Sequence, residues 1–289
     1  MAILIDRNTR ALIQGMTGDV GSFQARIMRD YGTRIVAGVT PGKGGQHVNG
    51  IPIYDFVEDA VLACQPNAAL RFVPAPLAAD AALEALEAGL RLVVVTAEGV
   101  PDSEMLSLLQ LASRREAQLV GPDTPGIISP GKCKLGVYPD RMLREGHVGV
   151  VSKSGALSYE VCKSLTERGL GQSTVVGIGG GPLWGLSQSE VLKLFQEDPE
   201  THIIVLLGEV GGTMEQEAAQ VIKTSVTKPV VAMIVGRAAP RGAQMGHAGA
   251  IIEGEDGLAT RKMECLQEAG ALLARHPSEI ADLVEALGV

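Results

Sequence analysis

The sequence predicts an α/β protein of two domains, each built on a parallel β-sheet covered by helices. Short apolar runs alternate with helical stretches along nearly the whole chain, and such β–α repetition is typical of parallel sheets with crossover connections. Hydrophobic residues make up 46% of the chain but aromatic residues only 3%, so we expect a core of Val, Ile, Leu and Ala, as in buried parallel strands. The length of 289 residues is that of two domains of ordinary size.

The first half of the chain gives the β–α pattern most clearly. We expect its strands at Ala11–Gln14, Ile35–Val39, Ala69–Val73, Leu92–Val95 and Gln118–Val120. We expect its helices at Ser22–Asp30, Val57–Cys64, Ala78–Ala88 and Ser103–Arg114.

The stretch from Gly121 to Gly146 interrupts this pattern. It holds five Gly, four Pro and few apolar runs, so we interpret it as loop and place the domain junction there, with domains of residues 1–121 and 122–289. Later strands are expected at Val148–Ser152, Thr174–Val176, Ile203–Leu207, Val230–Ile234 and Ala271–Leu273. Later helices are expected at Ala156–Arg168, Ser187–Phe195, Met214–Lys223, Leu258–Glu268 and Pro277–Ala286.

Composition and charge disfavour several classes of protein. The net charge of −8 argues against nucleic acid as the main partner, because such binding depends on neutralised phosphates. The four Cys lie far apart, so we expect neither a disulfide framework nor a metal site. The N-terminus does not resemble a signal peptide and no apolar run is long enough to span a membrane, so we expect a cytoplasmic protein.

The first strand leads into a glycine-rich turn, with Gly15, Gly18 and Gly21 spaced as G-x-x-G-x-x-G. Glycines at the start of a helix let backbone N–H groups approach an anion, and the helix dipole favours phosphate there. The second strand ends near Lys43, amid glycines, where NAD-binding domains usually have an acidic residue. The turn therefore favours a phosphorylated nucleotide such as coenzyme A or NADP. A ligand-free turn and a solvated loop lysine are the alternatives.

Two other segments resemble known motifs but lack a required residue. The segment Gly126–Lys132 has the spacing of a phosphate-binding P-loop, but Cys133 replaces the Ser or Thr that binds magnesium. Ser154 follows a strand as in a nucleophile elbow, but the first Gly of G-x-S-x-G is absent. We therefore predict neither a P-loop nor a hydrolase triad.

Three loops of the second half could surround one anion. Ser154 and Gly155 begin a helix after a strand, which offers free N–H groups, although an ordinary N-cap has the same pattern. Glu209 ends a strand and could orient a histidine, or it could be a solvated loop carboxylate. His247 lies among small residues that let a bulky group approach, so it is either a nucleophile or a structural histidine.

In this order, the motifs resemble the α subunit of succinyl-CoA synthetase, the succinate–CoA ligase of the tricarboxylic acid cycle, over nearly the whole chain. The matching runs are Ala2–Asp6, Gly38–Gly45, Val73–Pro76, Glu98–Pro101, Gly177–Gly180, Gly208–Gly212, Thr227–Val231 and Met245–Ile252. The runs that hold Lys43 and His247 are the most specific.

The resemblance implies a CoA-binding Rossmann-type domain followed by a flavodoxin-like ligase domain. In the first domain, the positions that match the family's CoA contacts are Thr17, Gly18, Asp19, Val20, Lys43, Thr96, Ala97 and Glu98. In the second, His247 matches the phosphorylated histidine, Glu209 its partner, and Ser154 with Gly155 the helix start that holds the phosphate. Tyr159 matches a position at the substrate site.

The resemblance also implies a partner and a mechanism. A β subunit with an ATP-grasp fold would bind ATP or GTP with magnesium, in an αβ or α2β2 assembly. The nucleotide would phosphorylate His247, the phosphoryl group would move to a small carboxylate, and the CoA thiol would attack the acyl phosphate. A histidine loop that serves two sites suits small, glycine-rich flanks.

Departures from the family pattern concern the carboxylate. Asp123 and Thr124 stand where the family usually has Asn and Cys, near its carboxylate pocket, and an added negative charge would repel a dicarboxylate unless it is compensated. Gly181 replaces an Asp, and Trp184 is unusual nearby; Asp19 and Val20 stand where Ser and Gln are common. We expect succinate as the substrate, with malate or itaconate, or a catalytically decayed CoA-binding regulatory module, as alternatives. An NADP oxidoreductase is disfavoured, because no hydride-transfer residues accompany the turn.

Overall fold

The computed structural model describes residues 2–288, which form two seven-stranded sheets, one in each half of the chain. The strands of the first sheet are β1 (Arg10–Gln14), β2 (Arg34–Val39), β3 (His47–Val48), β4 (Ile51–Tyr54), β5 (Ala68–Arg71), β6 (Leu92–Val95) and β7 (Gln118–Val120). The helices of this half are α1 (Asp19–Tyr31), α2 (Val57–Cys64), α3 (Ala75–Glu87) and α4 (Asp102–Arg114).

The first sheet has the strand order of a dinucleotide-binding domain. Its order is β3-β4-β2-β1-β5-β6-β7, and every neighbouring pair except β3 with β4 is parallel. The six parallel strands therefore follow the 3-2-1-4-5-6 order of the Rossmann fold. The order reverses between β1 and β5, so the cleft at their carboxyl ends is the expected ligand site.

The glycine turn between β1 and α1 is tightly packed. Gly15 has a φ of +77°, which favours glycine. A Cβ on Gly21 would lie 2.2 Å from the carbonyl oxygen of Gly15, so only glycine lets the helix begin this close to the turn. Because α1 begins at Asp19, three positions before the predicted Ser22, Asp19 and Val20 belong to its first turn.

The second sheet is also parallel at its centre. Its strands are β8 (Gly126–Ser129), β9 (Cys133–Gly136), β10 (Glu145–Ser152), β11 (Gln172–Gly177), β12 (Ile203–Glu209), β13 (Val230–Val235) and β14 (Leu272–Leu273). Its helices are α5 (Gly155–Glu167), α6 (Gln188–Glu197), α7 (Met214–Ser225), α8 (Ala259–Glu268) and α9 (Pro277–Ala286). The strand order is β14-β13-β12-β10-β11-β8-β9. The parallel strands β10 to β14 have the flavodoxin-like 2-1-3-4-5 order, which reverses between β10 and β12.

Four strands were not predicted, and one prediction was wrong because of them. The stretch from Gly121 to Gly146 is not simply a loop, since it contains the hairpin β8–β9, which pairs antiparallel with β11. Its strands are short, and each has a glycine at one end. A Cβ on Gly126 would lie 2.0 Å from the carbonyl oxygen of Leu135, so the two strands come this close only because residue 126 is glycine. Glycine is not typical of strands, so the sequence does not indicate a strand there. In the first sheet, β3 and β4 were missed because they are short and β4 contains Pro52.

The two sheets share one apolar core. A cluster of buried side chains runs from Ile13 and Val94 in the first half to Ile127 and Val176 in the second. The hydroxyl of Thr33 adds a buried hydrogen bond of 2.8 Å to the carbonyl of Lys134 on β9. The domain boundary predicted at residue 121 lies between β7 and β8 and stays a prediction. Within residues 2–288, no helix is long and apolar enough to cross a membrane.

Candidate active site

The candidate site of the second domain lies at the carboxyl ends of β10, β12 and β13. Ser152 of β10 pairs with Leu207 of β12, so the turns that follow these two strands lie side by side. Glu209 ends β12, and His247 lies in the long loop between β13 and α8. This is the end of the sheet, and the point of reversed strand order, at which α/β proteins bind ligands.

His247 and Glu209 form a direct pair. Nδ1 of His247 lies 2.6 Å from Oε2 of Glu209, and the two side chains are 27% and 7% exposed. An ionised carboxylate can only accept a hydrogen bond, so we assign the proton to Nδ1, which leaves the lone pair of Nε2 free to act as a nucleophile. Oε1 of Glu209 is buried without a hydrogen-bond partner among the described residues, so the carboxylate has His247 as its main partner.

A glycine supports the imidazole ring from behind. A Cβ on Gly180 would lie 2.3 Å from Cγ of His247, so the ring packs directly on the backbone at Gly180. Gly180 and Gly249 are also joined by a backbone hydrogen bond of 3.1 Å, which connects the loop after β11 to the His247 loop. The ring position therefore depends on the absence of a side chain at residue 180.

Asp123 joins the two halves of the molecule beside this ring. Its N–H donates to the carbonyl of Ala97 over 2.9 Å, and its carboxylate accepts a hydrogen bond from the backbone N–H of Gly180. Burial raises the pKa of Asp123, and the nearby charge of Glu98 raises it further. Asp123 thus places a carboxyl group between the strand end of the first domain and His247.

Thr124, predicted with Asp123 for the substrate, points its hydroxyl into the protein. The hydroxyl donates to the carbonyl of Gly177 over 2.5 Å and accepts from the N–H of Gly126 over 2.8 Å. Of the two residues, Asp123 is the one whose charge acts on His247, and contact of either residue with a substrate stays a prediction.

The predicted helix start has the geometry of an anion site. Ser154 is the N-cap of α5, and its hydroxyl accepts from the N–H of Leu157 over 3.3 Å, so Gly155 is the first helical residue. The first N–H groups of a helix have no partner within the helix. Tyr159 lies one turn further on, with its hydroxyl 3.5 Å from the place where a Cβ on Gly155 would be, and its ring packs edge-on against Tyr138.

The charged groups around His247 have opposing effects on its pKa. The hydrogen bond that His247 donates to Glu209 raises the pKa of His247, burial lowers it, and the negative charges of Glu209 and Asp123 raise it further. The positive charge of Lys153 opposes them. The net effect raises the pKa, so the cationic form of His247 persists to higher pH than in a free histidine.

A second site opens at the strand reversal of the first domain. A cleft of about 590 Å³ lies there, next to the glycine turn after β1. Its walls include Gln14, Gly15, Thr17, Gly18, Thr40, Asp55, Phe56, Val73, Leu77 and Glu84. Of the residues predicted to contact CoA, Thr17 and Gly18 line this cleft directly.

The other predicted contacts are not among the residues that line the cleft. Asp19 and Val20 are exposed in the first turn of α1, and Lys43 is exposed on the glycine loop after β2. Thr96, Ala97 and Glu98 directly follow β6, and the carbonyl of Ala97 accepts the hydrogen bond from the N–H of Asp123. The two sets of predicted residues are therefore connected through the contact of Ala97 with Asp123.

Sequence reasoning missed several residues that shape these sites. Asp55 accepts the N–H of Gly44 over 2.8 Å and so holds the loop that carries Lys43; it follows β4, a strand that was not predicted. Gly180 belongs to the matching run Gly177–Gly180, but the sequence does not predict its contact with His247. Three buried charged residues, Lys153, Glu215 and Lys262, were missed, because a charged residue in a polar-looking stretch gives no sign that it is buried.

The comparisons with protein families cover both sites. Residues 6–99 match the CoA binding domain family, and residues 151–272 match the CoA-ligase family. The succinate–CoA ligase (ADP-forming) α subunit 1 of Archaeoglobus fulgidus is 53% identical over 95% of this chain and 94% of its own length. The corresponding α subunit of Aquifex aeolicus is 50% identical over 98% of this chain and 94% of its own length.

Solved structures agree on the arrangement of both domains. ATP citrate lyase of Methanosaeta concilii, solved with (3S)-citryl-CoA, is 28% identical, with a TM-score of 0.90 over 99% of this chain. ATP citrate lyase of Methanothrix soehngenii, solved with citrate and coenzyme A, is 27% identical, with a TM-score of 0.89 over 99% of this chain. This chain spans about half the length of those two proteins, 51% and 52%.

Proposed function

Because the chain belongs to the family of succinate–CoA ligase α subunits, we propose that it is the α subunit of a nucleotide-dependent succinate–CoA ligase whose phosphoryl carrier is His247. The observation that carries this proposal is the 2.6 Å pair between Nδ1 of His247 and Oε2 of Glu209 at the strand reversal of the ligase domain. The pair leaves Nε2 as the nucleophilic atom of a partly exposed imidazole.

In the first step, Nε2 of His247 attacks the terminal phosphorus of the nucleotide, and the diphosphate leaves. Glu209 holds the ring and stabilises the positive charge that develops on the imidazole. The backbone N–H groups at the start of α5, beginning with that of Gly155, would donate hydrogen bonds to the phosphate oxygens, and the helix dipole would favour the negative charge there. Small residues on both sides of His247 leave room for the phosphoryl group.

In the second step, a carboxylate oxygen of the substrate attacks the phosphorus and Nε2 of His247 leaves with its electron pair. The thiol sulfur of CoA then attacks the acyl carbon, loses its proton and releases inorganic phosphate, so that a thioester forms. The hydrogen bond from the N–H of Asp123 to the carbonyl of Ala97 joins the segment after β6 to the segment beside His247, and we expect the thiol end of CoA to extend along this contact.

The first-domain cleft fits coenzyme A. Its glycine turn lies at the start of α1, where backbone N–H groups and the helix dipole favour phosphate. Lys43 extends from the adjoining loop and could neutralise a further phosphate. Phe56 and Leu77 are 61% and 55% exposed at the cleft, which gives a nucleobase two apolar surfaces to pack on.

An α subunit works with a partner subunit, and we assign the nucleotide to that partner. We expect a β subunit with an ATP-grasp fold that binds ATP or GTP with magnesium, in an αβ or α2β2 assembly in the cytoplasm. The partner would bring the nucleotide to His247, which is reachable because it lies in a loop outside the sheet.

We expect the substrate to be succinate, and Asp123 to decide how well other dicarboxylates are used. A carboxyl group beside His247 would repel a second carboxylate while ionised, and burial raises its pKa toward the neutral form. A substrate with a hydroxyl group could instead donate a hydrogen bond to Asp123. Because of this possible hydrogen bond to Asp123, a hydroxydicarboxylate such as malate is the main competing substrate.

The test is thioester formation by the chain reconstituted with its partner subunit. We would compare kcat/KM for succinate, malate and itaconate in the unaltered protein and in Asp123→Asn. We expect the unaltered enzyme to prefer succinate, and the substitution to lower KM for succinate because it removes a repulsive charge. Formation of no thioester with any of the three acids, despite CoA binding, would favour a regulatory module over an enzyme.

A further inference from the structure

Three charged side chains are buried together behind the His247–Glu209 pair. Lys153, Glu215 and Lys262 are 2%, 0% and 0% exposed. Oε1 of Glu215 lies 3.0 Å from Nζ of Lys153, and its Oε2 contacts Nζ of Lys262. We call these residues the buried triad; it sets two ammonium groups against one carboxylate. Buried charges are costly unless they are paired, so the unequal number of charges needs a reason.

One side of the triad holds Glu209. The backbone N–H of Glu209 donates to Oε1 of Glu215 over 3.2 Å, and Nζ of Lys262 donates to the carbonyl of Gly211 over 2.5 Å. The turn that presents the Glu209 carboxylate is thus fixed at both ends. Lys262 therefore has a sufficient structural role as a partner of Glu215 and Gly211.

The other side of the triad extends toward His247. Nζ of Lys153 lies 5.0 Å from the centre of the Trp184 ring, within the range of a cation–π contact. Nε1 of Trp184 donates to the carbonyl of Gly179 over 3.0 Å, next to the Gly180 backbone on which the imidazole lies. Lys153 follows β10 and directly precedes Ser154, the N-cap of α5. Lys153 therefore lies between the helix start and the support of the histidine ring.

We propose that Lys153 is a positioning residue for phosphoryl transfer, whose buried ammonium, held by Glu215 and Trp184, balances the negative charge that His247 acquires with a phosphoryl group. This inference rests on the proposed function. Two carboxylates, Glu209 and Asp123, already face His247, and a phosphoryl dianion adds to them. Glu215 pairs with both lysines, so its one carboxylate leaves one positive charge of the triad unbalanced, and Lys153 is the lysine on the side of Trp184 and Gly179.

The charges that act on His247 agree with this role. Glu209 and Asp123 raise the pKa of His247, whereas Lys153 lowers it, so the ammonium is close enough to affect the ring. A positive charge that disfavours the protonated imidazole favours its neutral, nucleophilic form and stabilises an attached anion for the same electrostatic reason. Both effects would assist phosphorylation of His247.

The test separates the effect of the Lys153 charge from the effect of its structural contacts. Lys153→Gln keeps a hydrogen-bond donor for Glu215 but loses the charge, Lys153→Arg keeps the charge, and Lys262→Gln removes the other ammonium of the same carboxylate. In the reconstituted complex, we expect Lys153→Gln to slow phosphorylation of His247 by about tenfold or more. Lys153→Arg should stay near the unaltered rate, and Lys262→Gln should lower Tm with a smaller effect on the rate.

A second measurement separates this role from a structural one. We would measure the pKa of His247 by NMR titration of the isolated chain, because this measurement does not require phosphorylation. Lys153→Gln should raise the pKa of His247 and Glu215→Gln should lower it, because one change removes a positive charge and the other a negative one. Loss of stability alone would not give opposite shifts.

The proposal is overturned if His247 titrates unchanged in both variants, or if Lys153→Arg is as slow as Lys153→Gln. It is also overturned if Lys153→Gln is phosphorylated at the rate of the unaltered chain. Failure of the proposed function is a different result, because then the unaltered complex would not phosphorylate His247 at all.

Discussion

At the scale of single residues, the carboxylate of Glu209 determines which nitrogen of His247 is free to act as a nucleophile. Oε2 of Glu209 lies 2.6 Å from Nδ1, so the proton is held there and Nε2 points away from the pair. The charge of Asp123 raises the pKa of His247, and the charge of Lys153 lowers it. The chemistry proposed for this chain thus depends on a few side chains whose own positions are set by hydrogen bonds.

Removal of the Glu209 charge should change both the rate and its pH dependence. Glu209 raises the pKa of His247, and only the neutral ring is a nucleophile, so phosphorylation should increase as pH rises through that raised pKa. In Glu209→Gln the pKa falls, and the acid limb of the profile should move to lower pH. The plateau rate should fall by about 100-fold or more, because an amide can donate to Nδ1 and favour the wrong tautomer.

The measurement is a single-turnover phosphorylation rate of the reconstituted complex between pH 5 and 9, the range in which a histidine titrates. Glu264→Gln, at a 61% exposed position on α8, serves as the control and should leave the profile unchanged. An acid limb that stays in place in Glu209→Gln would show that Glu209 does not set the pKa of the reacting group.

At the scale of elements, the ends of strands and the glycines beside them place the reactive groups. The helix start at Ser154, the strand end at Glu209 and the loop of His247 come from three neighbouring strands, so the sheet fixes their distances. The imidazole itself is placed by the backbone at Gly180 rather than by a side chain.

We predict that Gly180→Ala strongly slows phosphorylation of His247 without unfolding the protein. The new Cβ would lie 2.3 Å from Cγ of His247, so the ring must leave its contact with Glu209, and the phosphorylation rate should fall by about 100-fold. The matched control is Gly254→Ala, since a Cβ there meets no heavy atom within 4 Å and its φ is −146°. Phosphorylation rate and Tm should be measured for both; equal rates in the two variants would contradict this account of the ring position.

The sequence predicts the elements unevenly, for physical reasons. Buried parallel strands such as Val148–Ser152 are recognisable because they are continuous and β-branched, and they are present in the structure. Strand Gly126–Ser129 is not recognisable, because its glycines serve a close approach of two strands that a single sequence does not reveal. The His247–Glu209 contact was inferred from resemblance and local chemistry, whereas the pairing of Lys153 with Glu215 depends on distant segments and needs the fold.

At the scale of the whole molecule, the chain is built to bring two sites together. The CoA cleft and the histidine site lie at two separate strand reversals, and the hydrogen bond of Asp123 to Ala97 connects them. The apolar core runs through both sheets, so the geometry between the sites does not depend on a free linker. Under the proposed function, His247 in its outer loop would take the phosphoryl group from a nucleotide on the partner subunit and pass it to the carboxylate substrate next to the CoA thiol.

The central claim, that His247 carries the phosphoryl group, has a direct measurement. The chain is reconstituted with its partner subunit, incubated with nucleotide labelled in the γ-phosphate, and the label is mapped by mass spectrometry under conditions that preserve phosphohistidine. We predict an acid-labile label on His247 that disappears when succinate and CoA are added together, and no label in His247→Asn. Label on another residue of this chain, or label that persists in His247→Asn, would contradict the account.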